Sequence, residues 1–436
     1  MLAKESVSTG ISLLDLDISI LQDPSEYYNA IHKAICDDVA KHSITFSALY
    51  FGNGPMEGAL VQDLDEAMSR NTDLQVRFIV DYNRAQRSDE SMHDSLYFLK
   101  NKYQERFQVY LYQMPHLRSY NSLLPKQIME IMGVYHVKFN LFDDNMLMLS
   151  GANLSEEYFQ DRQDRYMMFH QHHKAGKEGN EKKELTGHTL FSFIKTFSEI
   201  TIRRCHTMGP GGAFSPPALD TSVEEDDKRM KAEMMTLLDQ NSLGQESDTL
   251  LYPCIQHANI NLYQESQLVV GFLHRLKTYF QQQWHDKDMD KSMVRGEANI
   301  TIASPYPSFR QSLFDVLSHL RHFMPITMIT ASKESHGFSN SSGVKALIPQ
   351  MHEELFRRGY SVLMDVREEK KEQPDDSGDV NMLAYYRDSW TFHCKGIWSH
   401  IDQETLLTYV GSSNMGERSY HRDMELGFLL VVFPIH

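Results

Sequence analysis

Short runs rich in β-branched and aromatic residues punctuate the chain, and each is followed by a stretch whose apolar positions recur at helical spacing. In the first half these runs cover 44–51, 74–81 and 107–113; in the second, 299–303, 326–331 and 360–365 answer them. Strands alternating with helices in two successive sets predict a duplicated α/β protein whose mixed sheets are flanked by helices. Residues 1–204 are read as the first half and 251–436 as the second, with 205–250 between them as a flexible linker. Six Gly and Pro residues fall within 208–222, and an acidic run follows at 224–227, a composition unable to bury much surface. The polar stretch 171–184 reads as a surface loop before a helix over 190–203.

Composition narrows the function. With 43 Lys and Arg against 59 Asp and Glu, the net charge is -16, which disfavours a general nucleic-acid partner. The longest evident apolar stretch, 428–435, falls far short of the roughly 20 residues that span a bilayer, so a soluble or peripheral protein is expected. Cys36, Cys205, Cys254 and Cys394 lie far apart in no metal or disulfide pattern, as fits a reducing compartment. Residues 1–25 show neither a signal peptide nor an acid-poor transit peptide.

One local pattern occurs twice. The first copy runs His136, Lys138, Asp143, an apolar strand over 146–149, then Ser150-Gly151-Ala152-Asn153, with Asp164 eleven residues beyond the asparagine. The second runs His393, Lys395, an apolar strand over 406–410, then Gly411-Ser412-Ser413-Asn414, with Glu425 again eleven residues on. Strand alternation puts His and Lys of each copy on one face and turns Val137 and Cys394 away. Residues 143–145 and 402–404 supply the hairpin turns, and Asp143 is also counted among the catalytic candidates. The His-to-Asn spacing is 17 in one copy and 21 in the other, an even change that preserves facing.

This residue set suits a phosphodiester. The negative phosphate needs cations and amide donors, supplied by Lys138, Lys395, Asn153 and Asn414; one histidine can attack while the other carries protons. Each imidazole also needs an acceptor that fixes its tautomer, for which Asp164 and Glu425 are the candidates, in cis or across the two halves. Arg84 and Arg87, at the end of a strand, are candidate phosphate contacts.

These motifs resemble the phospholipase D superfamily and, within it, the eukaryotic mitochondrial phosphatidylglycerophosphate synthases. Segments 115–118, 133–143, 150–155 and 161–166 carry the likeness in the first half, and 390–396 and 420–425 in the second. The second copy departs from the pattern, since His400 stands where the motif acid falls. The resemblance implies an active site at a pseudo-two-fold interface, with transfer of the phosphatidyl group of CDP-diacylglycerol to glycerol 3-phosphate and release of CMP. His136 is assigned as nucleophile and His393 as proton carrier, an assignment that can be exchanged. Arg118, Arg162, Arg165, Arg418 and Arg422 are expected at the acceptor's phosphate, and Ser412 and Ser413 at substrate. The alternatives are a phosphatidylserine synthase-like transferase or a phospholipase D-type hydrolase using water. No metal site and no cofactor are expected, with Mg2+ or Ca2+ at most modulatory. A mitochondrial, peripheral place at the inner membrane is implied, and the apolar segment 117–132 is the candidate contact with the membrane.

Overall fold

The computed structural model describes residues 11–433 apart from 14–15, 38, 87–92, 121–124, 172–188, 240–247, 286–297, 365–378 and 403–404. Two nine-stranded sheets dominate it, and the same six-strand order lies in both. In the first half that order is Phe107–Tyr112, Gln75–Asp81, Ser43–Ser47, Phe139–Phe142, Met146–Ser150 and Tyr166–Gln171. In the second it is Val380–Tyr385, Ile326–Ala331, Asn299–Ala303, Gly396–His400, Leu406–Gly411 and Met424–Val432. The first three strands of each set are parallel; the hairpin and the final strand run antiparallel. The duplication and the mixed sheets flanked by helices are thus as expected.

The two sheets share a central core. Period-two alternation along Met424–Val432 sends Leu426, Phe428 and Leu430 inward, where they join Val137, Phe139, Leu141, Leu147 and Leu149 of the first half. Leu429 and Val431 of the same strand face the outer helices instead. The helix Leu190–Ile202 closes this core with Phe193, Ile194 and Phe197, and its Thr189 side chain accepts from Ser192 N–H at 3.1 Å as N-cap. Because both halves bury one another's apolar faces, the motif-bearing ends of the two sheets are held against each other.

Three expectations change. Residues 205–250 are not a linker where they are described: Cys205–Met208 pairs with Phe107–Tyr112, and Val223–Asp239 is a helix. That helix puts Met230, Met234 and Leu237 into the central core, each burial worth about 2 kcal/mol, and a buried Asp226–Arg204 pair at 2.9 Å anchors its start. The composition misled because the helix has one narrow apolar stripe on an otherwise charged surface. Residues 360–364 are not a strand but the end of the helix Ile348–Met364, with Gly359 and Leu363 buried, and 365 lies outside the described residues; the third parallel strand is Val380–Tyr385. Most of the stretch read as a loop over 171–184 lies outside the described residues.

Asp143 is the third change. It sits at the hairpin with φ 48°, and its carboxylate accepts from the backbone N–H groups of Lys41 (2.6 Å), His42 (3.0 Å) and Ser43 (2.6 Å). Its work is to close the entry of the strand Ser43–Ser47, not to meet a substrate. Asp143→Ala leaves three amides without their acceptor, for a loss of roughly 2–4 kcal/mol; thermal unfolding should show the drop, while activity per folded molecule stays within a few-fold. In the second copy Asp402 makes a smaller version of this turn, accepting from Thr405 N–H at 2.6 Å. Glu404 lies outside the described residues, and His400, at the end of its strand, is exposed.

Candidate active site

Two backbone junctions between the halves build the site. Tyr135 bridges Met424 in parallel, so His136 N–H donates to the Met424 carbonyl at 2.9 Å. Thr391–Phe392 pairs in parallel with Arg162–Gln163, so His393 N–H donates to the Gln163 carbonyl at 2.7 Å. In each junction the residue before a motif histidine lies against the residue before the other half's acid. The acids therefore serve the histidines crosswise: His136 Nδ1 lies 2.9 Å from Glu425 Oε2, and His393 Nδ1 lies 2.6 Å from Asp164 Oδ2. The question left open by spacing is answered by strand pairing.

Burial turns these pairs into tautomer locks. His136 and His393 are pushed well below the usual imidazole range, first by burial and then by nearby lysine. Glu425 is pushed up to about 7 and Asp164 also upward, both by burial, with Lys138 and Lys395 pulling the other way. The arrangement favours a neutral imidazole with its proton on Nδ1, toward the acid, and a lone pair on Nε2. Among the described residues no group hydrogen-bonds Nε2 of His136.

Each lysine folds back on its own histidine. Lys138 Nζ and Lys395 Nζ each donate to the carbonyl of the histidine two residues before, both at 2.7 Å. Burial lowers Lys138 to about 7 and Lys395 to about 8, opposed by Glu425 at the first and Asp164 at the second. Lys395, Arg162, Lys138 and His136 all add to the downward push on His393. Val137 is in the central core, and burial pushes the Cys394 thiol upward, which leaves it no thiolate to act as a nucleophile.

From these directions the free protein should show a narrow bell in kcat/KM for the donor. Below about 7, Glu425 takes a proton and ceases to hold His136 Nδ1–H; as pH rises through about 7 to about 8 the lysines lose their charge. Rates from pH 5 to 10 check it, and a flat profile contradicts it.

The other predicted residues divide. Asn153 Oδ1 accepts from Leu49 N–H at 3.1 Å and its Nδ2 donates to the Tyr158 hydroxyl at 3.3 Å, so it supports the site from the side. Asn414 Oδ1 is buried with no partner among the described residues. Ser412 Oγ donates to Glu425 Oε2 at 2.5 Å, whereas Ser413 Oγ accepts from Met415 N–H; both serines brace the loop and the acid rather than face substrate. Arg162 lies beside His393, bound to Glu157 at 2.7 Å and to Thr391 at 3.0 Å. Arg165 is committed elsewhere, to Thr408 Oγ1 and the Tyr409 carbonyl, both at 2.7 Å, with its guanidinium over Trp398. It joins the halves and does not await a phosphate.

Arg418 pairs with Asp423 at 2.9 Å and donates to the Glu130 carbonyl at 2.6 Å; Arg422 donates to the Ile131 carbonyl at 3.0 Å. Both tie the helix Lys126–Met132 to the second half. Arg118 donates to the Arg204 carbonyl at 3.2 Å, and Arg84 lies 4.5 Å from the ring centre of Tyr50. Arg87 lies outside the described residues.

Sequence reasoning missed Tyr158, Tyr306 and Asp81. Tyr158 Oη is 3.2 Å from His393 Nε2, and the rings of Tyr158 and Tyr306 both stand edge-on to that imidazole. Asp81 accepts from Tyr135 N–H at 2.9 Å and holds the segment that delivers His136; burial raises it to about 7. Tyr158 had one signal: it lies five residues after Asn153, where the second copy has Ser419 after Asn414.

The duplicated sheets and paired motifs make this chain similar to proteins of the phospholipase D superfamily. A family model described as "Cardiolipin synthase, PLD-like domain" matches residues 37–182. Among curated proteins, the chain is 26% identical to a probable CDP-diacylglycerol–glycerol-3-phosphate 3-phosphatidyltransferase of Dictyostelium discoideum, over 95% of this chain and 69% of that one. It is 27% identical to the mitochondrial enzyme of that name from Mus musculus, over 95% and 74%, and 29% identical to that of Saccharomyces pastorianus, over 95% and 78%. The crystal structure of phosphatidylserine synthase from Haemophilus influenzae Rd KW20 shares the fold, with a TM-score of 0.65 at 17% identity over 99% of this chain and 85% of that one.

Proposed function

We propose that this protein transfers the phosphatidyl group of CDP-diacylglycerol to glycerol 3-phosphate, giving phosphatidylglycerophosphate and CMP. The crosswise locking of two neutral imidazoles beside two lysines is the observation that carries the chemistry; the relatives' names carry the substrates. His136 Nε2 attacks the lipid-side phosphorus, and the bond to the CMP oxygen breaks with its electron pair leaving on CMP. The glycerol 3-phosphate hydroxyl then attacks the same phosphorus and gives its proton to His393 Nε2, while the P–N pair returns to His136. His393 sheds that proton to solvent, which balances the reaction. Lys138, Lys395 and Asn414 hold the phosphate oxygens. The cations are the protein's own, so the chemistry needs no resident metal; Mg2+ or Ca2+ can screen the donor's pyrophosphate.

A diacyl donor must be reached in a bilayer, and among the described residues no helix is long and apolar enough to cross one. Leu117 and Met129 are buried, so segment 117–132 does not lie in the interface as a whole; Ile128 and Ile131, 44% and 59% exposed, are the part that faces outward. We place the membrane contact there, on the inner mitochondrial membrane. Ile128→Asp with Ile131→Asp should weaken flotation with anionic liposomes several-fold without unfolding, and unchanged flotation moves the contact elsewhere.

The deciding experiment is product analysis with CDP-diacylglycerol and glycerol 3-phosphate, serine or water. Phosphatidylglycerophosphate and CMP should dominate, with retained configuration at phosphorus from two displacements. Phosphatidylserine or phosphatidic acid as main product overturns the acceptor, and inversion overturns the covalent intermediate.

A further inference from the structure

Among the differences between the two halves around the histidines, one falls at the position five residues after the motif asparagine, which is Tyr158 in one copy and Ser419 in the other. Crosswise pairing brings Tyr158 to His393, with its Oη 3.2 Å from Nε2. Two more groups reach that oxygen: Arg162 Nη1 at 3.2 Å and Asn153 Nδ2 at 3.3 Å. A guanidinium has no acceptor, and the Asn153 amide is oriented by its Oδ1 accepting from Leu49 N–H. Both groups therefore donate to the phenol and occupy its lone pairs. The phenol proton has one direction left, toward His393 Nε2. Asp164, 2.6 Å from Nδ1, holds the ring's own proton on the other nitrogen; Lys395 Nζ, 2.7 Å from Nδ1 and 3.2 Å from Nε2, is close to both nitrogens at once and so lies over the ring face, not in line with either lone pair.

We infer that Tyr158 is a positioning residue that fixes His393 at rest as a proton acceptor, so that the first displacement proceeds without an acid. This rests on the reading under Proposed function and deepens it, because it selects the class of donor. A leaving group that departs as a phosphate needs no proton, whereas an alkoxide from an ordinary phosphodiester does. His393 with a lone pair on Nε2 serves the first kind and then takes the acceptor's hydroxyl proton in the second displacement. Ser419 is too short to copy the phenol, so the same constraint is not imposed on His136, and the near-symmetric site acquires two different histidines.

The test uses Tyr158→Phe, which keeps the ring, in two half-reactions: covalent labelling by acyl-labelled CDP-diacylglycerol alone, then discharge of the labelled protein by glycerol 3-phosphate. Removing a donor from the neutral imidazole makes His393 more basic, so the acidic limb of discharge should move up by about one pH unit while labelling changes far less. In the wild type, CDP-diacylglycerol should label at least about a hundredfold faster than phosphatidylglycerol. An unmoved limb, an equal fall in both half-reactions at every pH, or equal labelling by the two donors overturns the inference. If glycerol 3-phosphate discharges nothing and water does, the acceptor reading has failed, and the limb is measured on hydrolysis, where it still judges Tyr158. Should the variant not fold, the ring-nitrogen NMR spectrum of the wild type decides. His393 must carry its proton on Nδ1 at pH 7, and a proton on Nε2 overturns the assignment.

Discussion

His136→Ala is expected to abolish the covalent label from CDP-diacylglycerol and to lower product formation by about four orders of magnitude, the scale on which a nucleophile's loss leaves only binding and electrostatic stabilisation. His393→Ala should keep the label and fail to pass it on. The reasoning is geometric: His136 Nε2 has no hydrogen-bond partner among the described residues, whereas His393 Nε2 is occupied by the Tyr158 hydroxyl. Gel analysis of labelled protein under alkaline conditions, which preserve phosphohistidine, reads both. Label in His136→Ala and none in His393→Ala exchanges the two roles.

Replacing the acids is the second large effect, and it tests the crossing itself. Glu425→Gln should lose labelling by about 10³–10⁴-fold, because an amide cannot hold the His136 tautomer as a carboxylate does. Asp164→Asn should label and then stall, since it supports His393 from the other half of the chain. If each acid served the histidine of its own motif, the outcomes would be reversed. Rapid-quench measurement of labelling and discharge separates the two variants. Asp164→Asn also removes a neighbour of Lys395, whose Nζ is 3.7 Å from the carboxylate, so a modest loss of donor affinity accompanies the stall.

Asp143 and the arginines show how far motif reading reaches. A carboxylate at a fixed offset from histidine and lysine looks catalytic in a linear sequence, yet at a hairpin with φ 48° the nearest unmet donors are the amides of residues 41–43, a hundred positions earlier. Arg165, Arg418 and Arg422 were read as phosphate ligands because they flank the motifs. Each instead meets a carbonyl or carboxylate of the opposite half, since the interface between the halves has its own backbone groups to satisfy. The helix Val223–Asp239 was hidden for another reason: four apolar residues on one stripe suffice when both sheets are present to receive them.

By itself the sequence determined the duplicated α/β architecture, the two His-x-Lys motifs with their asparagines and acids, and the phosphodiester chemistry such a set performs. These are local quantities: period-two alternation, turn residues and fixed offsets along one strand or hairpin. The tertiary structure decided which acid serves which histidine, that Asp143 closes a strand, and that a tyrosine makes the two imidazoles unequal. Each of those depends on contacts between residues a hundred or more positions apart, created when two apolar sheet faces bury each other, and no offset within one motif encodes them.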